Sequence, residues 1–266
     1  MLNIDERAEE EGLLRKTILK EFLQVSILEN LYNLTESNAI TFQGGTCLRL
    51  LYGGPRYSED LDFVVPETQT LSPIFERVNL GIEKLGPLFE GKIWMRVQKE
   101  TDSLVRWKLY YEPMESKENT SVSIEFAKYP AYTSQLLPLK VPKGYPATPL
   151  TLVKAETESE ILADKINAIA TRRYLKGRDI FDIWLLKNRG VTVDVDMVVK
   201  KFKDYSSPVV NVEKRVLEFS EEWVRQDLEN YLPMIYREKL HKEGYRILLE
   251  SARELASDID RQLRSR

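Results

Sequence analysis

The segment from Phe42 to Val65, FQGGTCLRLLYGGPRYSEDLDFVV, constrains the fold of this chain more than any other stretch. Apolar residues precede a glycine pair, and the helical pattern that starts near Thr46 ends at a Gly-Gly-Pro turn. A second apolar run follows and contains Asp60 and Asp62. The order predicts a strand, a glycine turn, a helix of two turns and a second strand that begins with the two aspartates.

Asp60 and Asp62 stand two residues apart in the predicted strand DLDFVV, so their side chains are expected on one face of a sheet. Two adjacent carboxylates repel each other and are costly to keep ionised beside an apolar sheet without a cation. Mg²⁺, with Mn²⁺ as the alternative ion, takes one or two carboxylates together with substrate phosphates. Glu125, an acid between Ile124 and Phe126 on a later predicted strand, is the candidate third ligand.

The residues around the glycine pair suit a bound phosphate. Gly44 and Gly45 permit close approach of the backbone, and the helix after them offers free N–H groups at a positive dipole end. Thr46, Arg56 and Ser58 supply two hydroxyls and a guanidinium that can hold phosphate oxygens. Structural alternatives stay open at this point: an N-cap threonine, a turn-and-cap pair of aspartates and a glutamate that faces solvent.

The composition excludes several classes of protein. The single cysteine, Cys47, excludes an internal disulfide, and the single histidine, His241, has no partners for a catalytic triad or a histidine-rich zinc site. No apolar run approaches the ~20 residues of a membrane span, and the acidic start of the chain lacks the apolar core of a signal peptide. We therefore expect a cytoplasmic protein with no membrane partner.

Hydropathy patterns predict an α+β chain with two domains. Leu13–Leu34 has the spacing of an amphipathic helix, and three segments between 92 and 130 have the content of antiparallel strands. The chain after Thr151 is predicted to be mostly helical, with one helix over 211–232 and another from Tyr236 to about Leu263. A stretch rich in Pro and Tyr places the boundary near residue 145. We expect a mixed sheet with flanking helices over 1–145 and a helical domain over 146–266.

Two segments, GGTCLRLLYGGPRYSEDLDF and LADKINAIATRRYLKGRDIFDIWLL, resemble the signature blocks of the AbiEii/AbiGii-type nucleotidyltransferase toxins. The resemblance covers roughly residues 42–65 and 161–187, in the order that the family has them. It implies a sheet of the polymerase-β-like nucleotidyltransferase type in the first domain. It also implies transfer of a nucleoside monophosphate from a nucleoside triphosphate, with release of pyrophosphate.

The resemblance implies site roles for residues of both halves. Those implied to hold phosphates or metal in the first half are Gly44, Gly45, Thr46, Asp60 and Asp62. In the second half Lys165 is implied to contact phosphate and Asp179 to be a further active-site acid, so that the helical domain contributes to the site. Asp182, one helical turn later, is expected to assist or to pair with Arg178. Without the resemblance, an exposed helix lysine and an acid at a helix start explain Lys165 and Asp179.

RNA, such as a tRNA end, is the predicted acceptor. Residues 165–203 contain ten basic and four acidic side chains, which suits a polyanion. Tyr174 and Trp184 are candidate stacking groups, although aromatics at helical spacing are more often core residues. The resemblance further implies a toxin of a type IV pair, whose antitoxin opposes it without a stable complex. The alternatives are transfer to a small molecule or a protein, a catalytically inactive nucleotide- or RNA-binding relative, and a phosphatase or nuclease.

Overall fold

The computed structural model describes residues 2–114, 119–206 and 211–265, and its chain divides into two compact units, Met1–Glu156 and Thr157–Arg266. The first unit contains the helices α1 (Ile4–Glu11), α2 (Arg15–Tyr32), α3 (Gly44–Leu50), α4 (Ser72–Glu83) and α5 (Gly86–Phe89). Its strands are β1 (Thr41–Gln43), β2 (Leu61–Val64), β3 (Gly91–Glu100), β4 (Leu104–Pro113), β5 (Thr120–Ala127), β6 (Ser134–Pro138) and β7 (Leu152–Glu156).

Within the described residues the strands form one seven-stranded sheet in the order β3-β4-β5-β2-β1-β7-β6. Strand β2 runs parallel to β5 and antiparallel to β1, while β3, β4 and β5 form an antiparallel meander. Strand β7 pairs with both β1 and β6. Because of that pairing, the first unit extends to Glu156, beyond the predicted boundary near residue 145.

One face of the sheet is apolar and buried. Phe42, Phe63 and Phe126 lie opposite one another on β1, β2 and β5, with ring centroids 5.0 Å apart in each neighbouring pair. Helix α2 lies against β5 and α4 against β3, where Phe75 of α4 meets Trp107 of β4 edge to face at 5.2 Å. Burying each such side chain is worth roughly 1.5–3 kcal/mol. Strand alternation then turns the intervening polar residues to the opposite face.

The second unit is mostly helical. Its helices are α6 (Glu158–Thr171), α7 (Gly177–Asn188), α8 (Val195–Asp204), α9 (Val212–Val216), α10 (Glu221–Leu228), α11 (Met234–Glu243) and α12 (Arg246–Arg264). Helix α12 packs on α7 and α9 through buried Leu248, Ala252, Ala256 and Ile259, which recur at helical spacing. Across the described ranges, no helix combines the length and the apolar character that crossing a membrane requires.

These elements confirm the predicted fold class, a mixed sheet flanked by helices and followed by a helical region. The predicted amphipathic helix is α2, and the three predicted antiparallel strands are β3, β4 and β5. Helix α1 and strands β6 and β7 were not predicted, because their segments are short or rich in turn residues.

Two predicted long helices are wrong, since each is divided in the structure. The helix from Tyr236 onward breaks between α11 and α12 at Gly244, whose φ of +85° has no place in a right-handed helix. The segment 211–232 divides into α9 and α10 because Ser220 caps a new helix by accepting a hydrogen bond from the N–H of Trp223 at 3.1 Å.

Candidate active site

The glycine pair lies directly against the residues that the sequence predicts to bind phosphate and metal. Gly44 has a φ of +80°, and a Cβ atom there would lie 2.8 Å from Oδ2 of Asp62. A Cβ atom on Gly45 would overlap the guanidinium of Arg56 and lie 3.2 Å from Oγ of Ser58. The structure thus brings these five predicted residues together, and only glycine allows the carboxylate and the guanidinium to pack this closely against the start of α3.

The strand register places the candidate acids of the sheet side by side. Asp62 of β2 lies opposite Gln43 of β1 and opposite Glu125 of β5, so all three side chains share the face away from the apolar core. Neighbouring strands are ~4.8 Å apart, so Asp62 and Glu125 are adjacent. Glu125 in turn lies opposite Arg106 of β4, whose Nε donates to Oε1 of Glu125 at 2.8 Å.

Asp60 lies just outside the strand, because β2 begins at Leu61 rather than at the predicted Asp60. Its backbone is held from the glycine side: the buried hydroxyl of Thr46 donates to the carbonyl of Asp60 at 2.5 Å. Helix α3 also starts two residues earlier than predicted, at Gly44, with Gln43 as its N-cap. The threonine side chain therefore positions the aspartate segment.

A buried polar network fixes the segment between α3 and β2. Glu21 of α2 accepts from Nε of Arg49 at 2.7 Å and lies 3.5 Å from Nη2 of Arg7. Arg49 stacks over the ring of Tyr57 at 3.8 Å, and Nη2 of Arg7 donates to its hydroxyl at 2.9 Å. Burial, with the nearby Glu21 carboxylate, raises the pKa of Tyr57 far above its usual value, so the phenol stays a neutral acceptor. The sequence analysis did not predict this network. The one sequence feature that indicates it is the acid Glu21 within the apolar pattern of α2.

The acid set fits a cation that shares its ligands with a substrate. Among the described residues no group of three or more His, Cys, Asp or Glu side chains is placed to hold a metal ion. Glu125 is engaged by Arg106, and its role as a third ligand stays a prediction. Oδ2 of Asp62 lies close to the backbone of Gly44, where a Cβ atom would be 2.8 Å away. Mg²⁺ commonly completes such a site with water and phosphate oxygens.

In the second unit, Lys165 of α6 forms a buried charge cluster with two acids of α7. Its Nζ lies 2.8 Å from Oδ1 of Asp179 and 2.7 Å from Oδ2 of Asp182, and all three residues are buried. Nη1 of Arg172 donates to the other oxygen of Asp179 at 2.5 Å. The exposed-lysine interpretation is therefore wrong, and the two acids of α7 fix the ammonium in place.

Asp182 of α7 pairs with Lys165 of the neighbouring helix α6. Arg178, one helical turn earlier, has its Nε 3.6 Å from Oδ2 of Asp227 and its guanidinium 4.4 Å from the ring centroid of Tyr231. Whether Asp182 assists the reaction or pairs with Arg178 stays a prediction.

The basic segment 165–203 is less available to a polyanion than its charge count suggests. Lys201 is 1% exposed, and its Nζ pairs with Glu160 at 2.7 Å and Asp164 at 3.0 Å. Tyr174, in contrast, is 73% exposed in the loop between α6 and α7, with the guanidinium of Arg173 5.2 Å from its ring centroid. Trp184 is half-buried rather than in the core, with its ring centroid 5.4 Å from that of Phe181.

Fold and sequence together define the class of this protein as a nucleotidyltransferase. The family described as the nucleotidyl transferase AbiEii toxin of type IV toxin–antitoxin systems matches residues 26–256. The chain therefore belongs to the AbiEii nucleotidyltransferase toxin family, and the resemblance seen in its two sequence blocks is confirmed. The match includes every candidate residue of both units.

Solved structures show the same fold. The nucleotidyltransferase toxin MenT4 from Mycobacterium tuberculosis H37Rv superposes with a TM-score of 0.65 at 21% identity, over 100% of this chain and 99% of that one. JHP933 from Helicobacter pylori has a TM-score of 0.53 at 20% identity, over 95% of this chain and 97% of that one. A putative nucleotidyltransferase from the same bacterium has a TM-score of 0.54 at 20% identity, over 95% of this chain and 98% of that one. No curated protein matches the chain.

Proposed function

We propose that this protein transfers a nucleoside monophosphate from a nucleoside triphosphate to an RNA acceptor, a tRNA end being the first candidate. An acceptor hydroxyl attacks the α-phosphorus, the bond to the β-phosphate oxygen breaks, and pyrophosphate leaves while the hydroxyl proton passes to a carboxylate. The observation that carries the proposal is the packing of Gly44 and Gly45 against Asp62, Arg56 and Ser58. An acid and a guanidinium held close to the same glycine backbone suit the cation and the phosphates of a triphosphate.

Each residue of this surface has a distinct part in the proposal. Asp60 and Asp62 would hold Mg²⁺ or Mn²⁺, which would offset the charge of the phosphates when bound. Arg56, 4% exposed and fixed by donation of Nη1 to the carbonyl of Tyr57 at 2.8 Å, would hold phosphate oxygens together with Ser58. Thr46 acts as a positioning residue through its hydrogen bond to Asp60.

The helical unit contributes two further proposed residues. Lys165 and Asp179 lie in the second sequence block that the family shares, and each is locked in the buried cluster on α6 and α7. We infer that turnover needs both, with Lys165 as a phosphate contact and Asp179 as an acid that orients the acceptor or accepts its proton. Family membership also supports a toxin role opposed by an antitoxin that forms no stable complex with it.

Labelled substrates test this function. Purified protein is incubated with total RNA and each of the four labelled triphosphates in turn, with Mg²⁺, with Mn²⁺ and with EDTA. We expect one triphosphate to label a tRNA-sized band, EDTA to abolish the label, and added Mg²⁺ to restore it. Label on protein or on a small molecule would contradict the RNA acceptor, and label that survives EDTA would contradict the metal.

Gly45→Ala is expected to weaken triphosphate binding about tenfold or more, because the new methyl group displaces the Arg56 guanidinium from its position. The change also raises intrinsic helix propensity, so the thermal midpoint should not fall with the affinity. A double-mutant cycle with Arg56→Ala is measured by triphosphate binding at equilibrium. If the guanidinium is the target, the double variant binds no more weakly than either single variant. Additive losses would assign the Gly45 effect to another cause.

A further inference from the structure

The face of the sheet that carries Asp62 continues across the meander as a polar surface. Six of the exposed or half-buried residues that β3 and β4 turn to this face are together named the open face: Lys92, Trp94, Arg96, Arg106, Lys108 and Tyr110. The exposed acid Glu112, in register with Lys92, turns to the same side. The other side of the same strands is buried, because it carries the apolar residues that α4 covers. Four of the six open-face residues are basic.

Like charges on the open face lie directly opposite each other. Arg96 of β3 is in register with Lys108 of β4, and beyond a local irregularity Lys99 is in register with Arg106. Like charges directly across neighbouring strands destabilise a sheet. Among the described residues no ion pair involves Arg96 or Lys108, whereas Arg106 is engaged by Glu125. A bound polyanion would relieve the repulsion between Arg96 and Lys108.

Aromatic rings lie beside these charges on the same face. Trp94 and Tyr110 are in register, and their rings stack with centroids 5.5 Å apart and planes 15° apart. Lys92 lies 5.2 Å from the ring centroid of Trp94, and Lys108 lies 5.7 Å from that of Tyr110. Aromatic rings on a sheet surface, flanked by cations, are a recurrent way to bind single-stranded RNA by stacking.

We propose that the open face binds the single-stranded end of the RNA acceptor and directs it toward Asp62. The inference rests on the proposed function, for which it specifies the acceptor-binding surface. At ~4.8 Å per strand, β4 and β3 lie ~10 and ~15 Å from β2. At ~3.4 Å per nucleotide of a stacked strand, this distance corresponds to about three or four nucleotides. Glu125 lies between Asp62 and Arg106 in the sheet and pairs with Arg106. This ion pair therefore marks the border between the basic open face and the candidate acids.

The charge distribution on the first unit supports RNA as the occupant rather than a cationic or uncharged acceptor. Lys92, Arg96 and Lys108 present positive charge, and the stacked rings add the affinity for bases that a simple phosphate site lacks. In the helical unit, the basic residues Lys165 and Lys201 are buried in ion pairs. The basic residues of the second half are thus partly engaged in ion pairs, whereas no described residue forms an ion pair with Lys92, Arg96 or Lys108 of the open face.

The test uses the full chain and a fluorescent single-stranded RNA of mixed sequence, with affinity measured at several salt concentrations and no triphosphate present. Arg96→Gln with Lys108→Gln is expected to weaken binding about tenfold or more. The slope of log affinity against log salt should fall by about 1.4, or ~0.7 for each phosphate contact. The thermal midpoint should stay level or rise, because the repulsive pair is removed. Trp94→Leu is expected to weaken binding without changing the salt slope.

Lys84→Gln with Lys140→Gln is the matched control, since both lysines are exposed on the same unit and lie outside the open face. Equal RNA affinities and equal salt slopes in the two double variants would contradict the proposed RNA-binding surface. Binding of anionic vesicles as tight as that of the RNA would contradict it too, as would tighter binding of a single-stranded DNA of the same sequence. In the transfer assay the open-face variant should raise the KM for RNA and leave kcat unchanged.

The transfer assay also separates this inference from the proposed function. If the open-face variant transfers label to RNA with an unchanged KM, the proposed binding surface is contradicted and the proposed function is supported. If RNA binding depends on the open face but the protein transfers no label to RNA, the binding surface is supported and RNA is contradicted as the acceptor.

Discussion

Asp62→Asn is expected to lower kcat by roughly 10³-fold or more while the protein stays folded. Asp62 faces Glu125 and Gln43 across the sheet, and its Oδ2 packs closely against Gly44. The substitution keeps the shape and removes the charge that would hold a divalent ion against the phosphates. Metal stabilisation of charge in such a transition state is worth several kcal/mol, and each 1.36 kcal/mol is tenfold in rate.

The measurement compares single-turnover transfer by Asp62→Asn with that of Glu59→Gln. Glu59 is an acid three positions away, outside β2, and it pairs with Nζ of Lys20 at 2.9 Å. The two variants lose the same charge from the same segment, so a general electrostatic effect would lower both rates. Only Asp62→Asn should lose activity, with a thermal midpoint within about 3 °C of the wild type. Transfer by Asp62→Asn at more than a tenth of the normal rate would contradict the assignment.

The glycine–aspartate segment could be predicted because its signals are local. A glycine pair, a short helical pattern and an alternating strand follow one another within Phe42–Val65, and the structure keeps that order with starts shifted by one or two residues. The adjacency of Asp62 and Glu125 was expected from their strand positions. The ion pair between Glu125 and Arg106 was not expected, because it depends on the register between β4 and β5, which the sequence does not show.

The segments that escaped prediction owe their structure to distant partners. Strand β6 lies in the stretch that looks like a linker, and β7 follows it in a part predicted to be mostly helical. Strand β7 is held by parallel pairing with β1 and antiparallel pairing with β6. Buried lysines are missed for a related reason. A lysine is almost never fully buried without a partner, so a lone sequence favours exposure. Lys165 and Lys201 are buried because acids from packed helices meet them, and this pairing exists only in the folded unit.

Lys165→Met is expected to lower the free energy of unfolding by about 3–5 kcal/mol, because removal of the cation leaves a buried carboxylate uncompensated. Asp182 is 1% exposed and its Oδ2 lies 2.7 Å from the lost Nζ, whereas Asp179 keeps Arg172. The thermal midpoint should fall by about 10 °C. Lys187→Met is the matched control: its ion pair with Glu254 has the same 2.7 Å length but lies near the surface, and its loss should cost under about 1 kcal/mol.

Lys165→Met with Asp182→Leu then separates structure from chemistry. Replacing both members of a buried pair by apolar side chains is often close to neutral, so the double variant should recover most of the stability that Lys165→Met loses. If Lys165 contacts phosphate as proposed, the double variant regains stability but still transfers no label. Recovery of transfer together with stability would limit Lys165 to holding α6 against α7. Equal midpoints for Lys165→Met and Lys187→Met would contradict the buried cluster itself, since burial is what makes one ion pair costly to break and the other not.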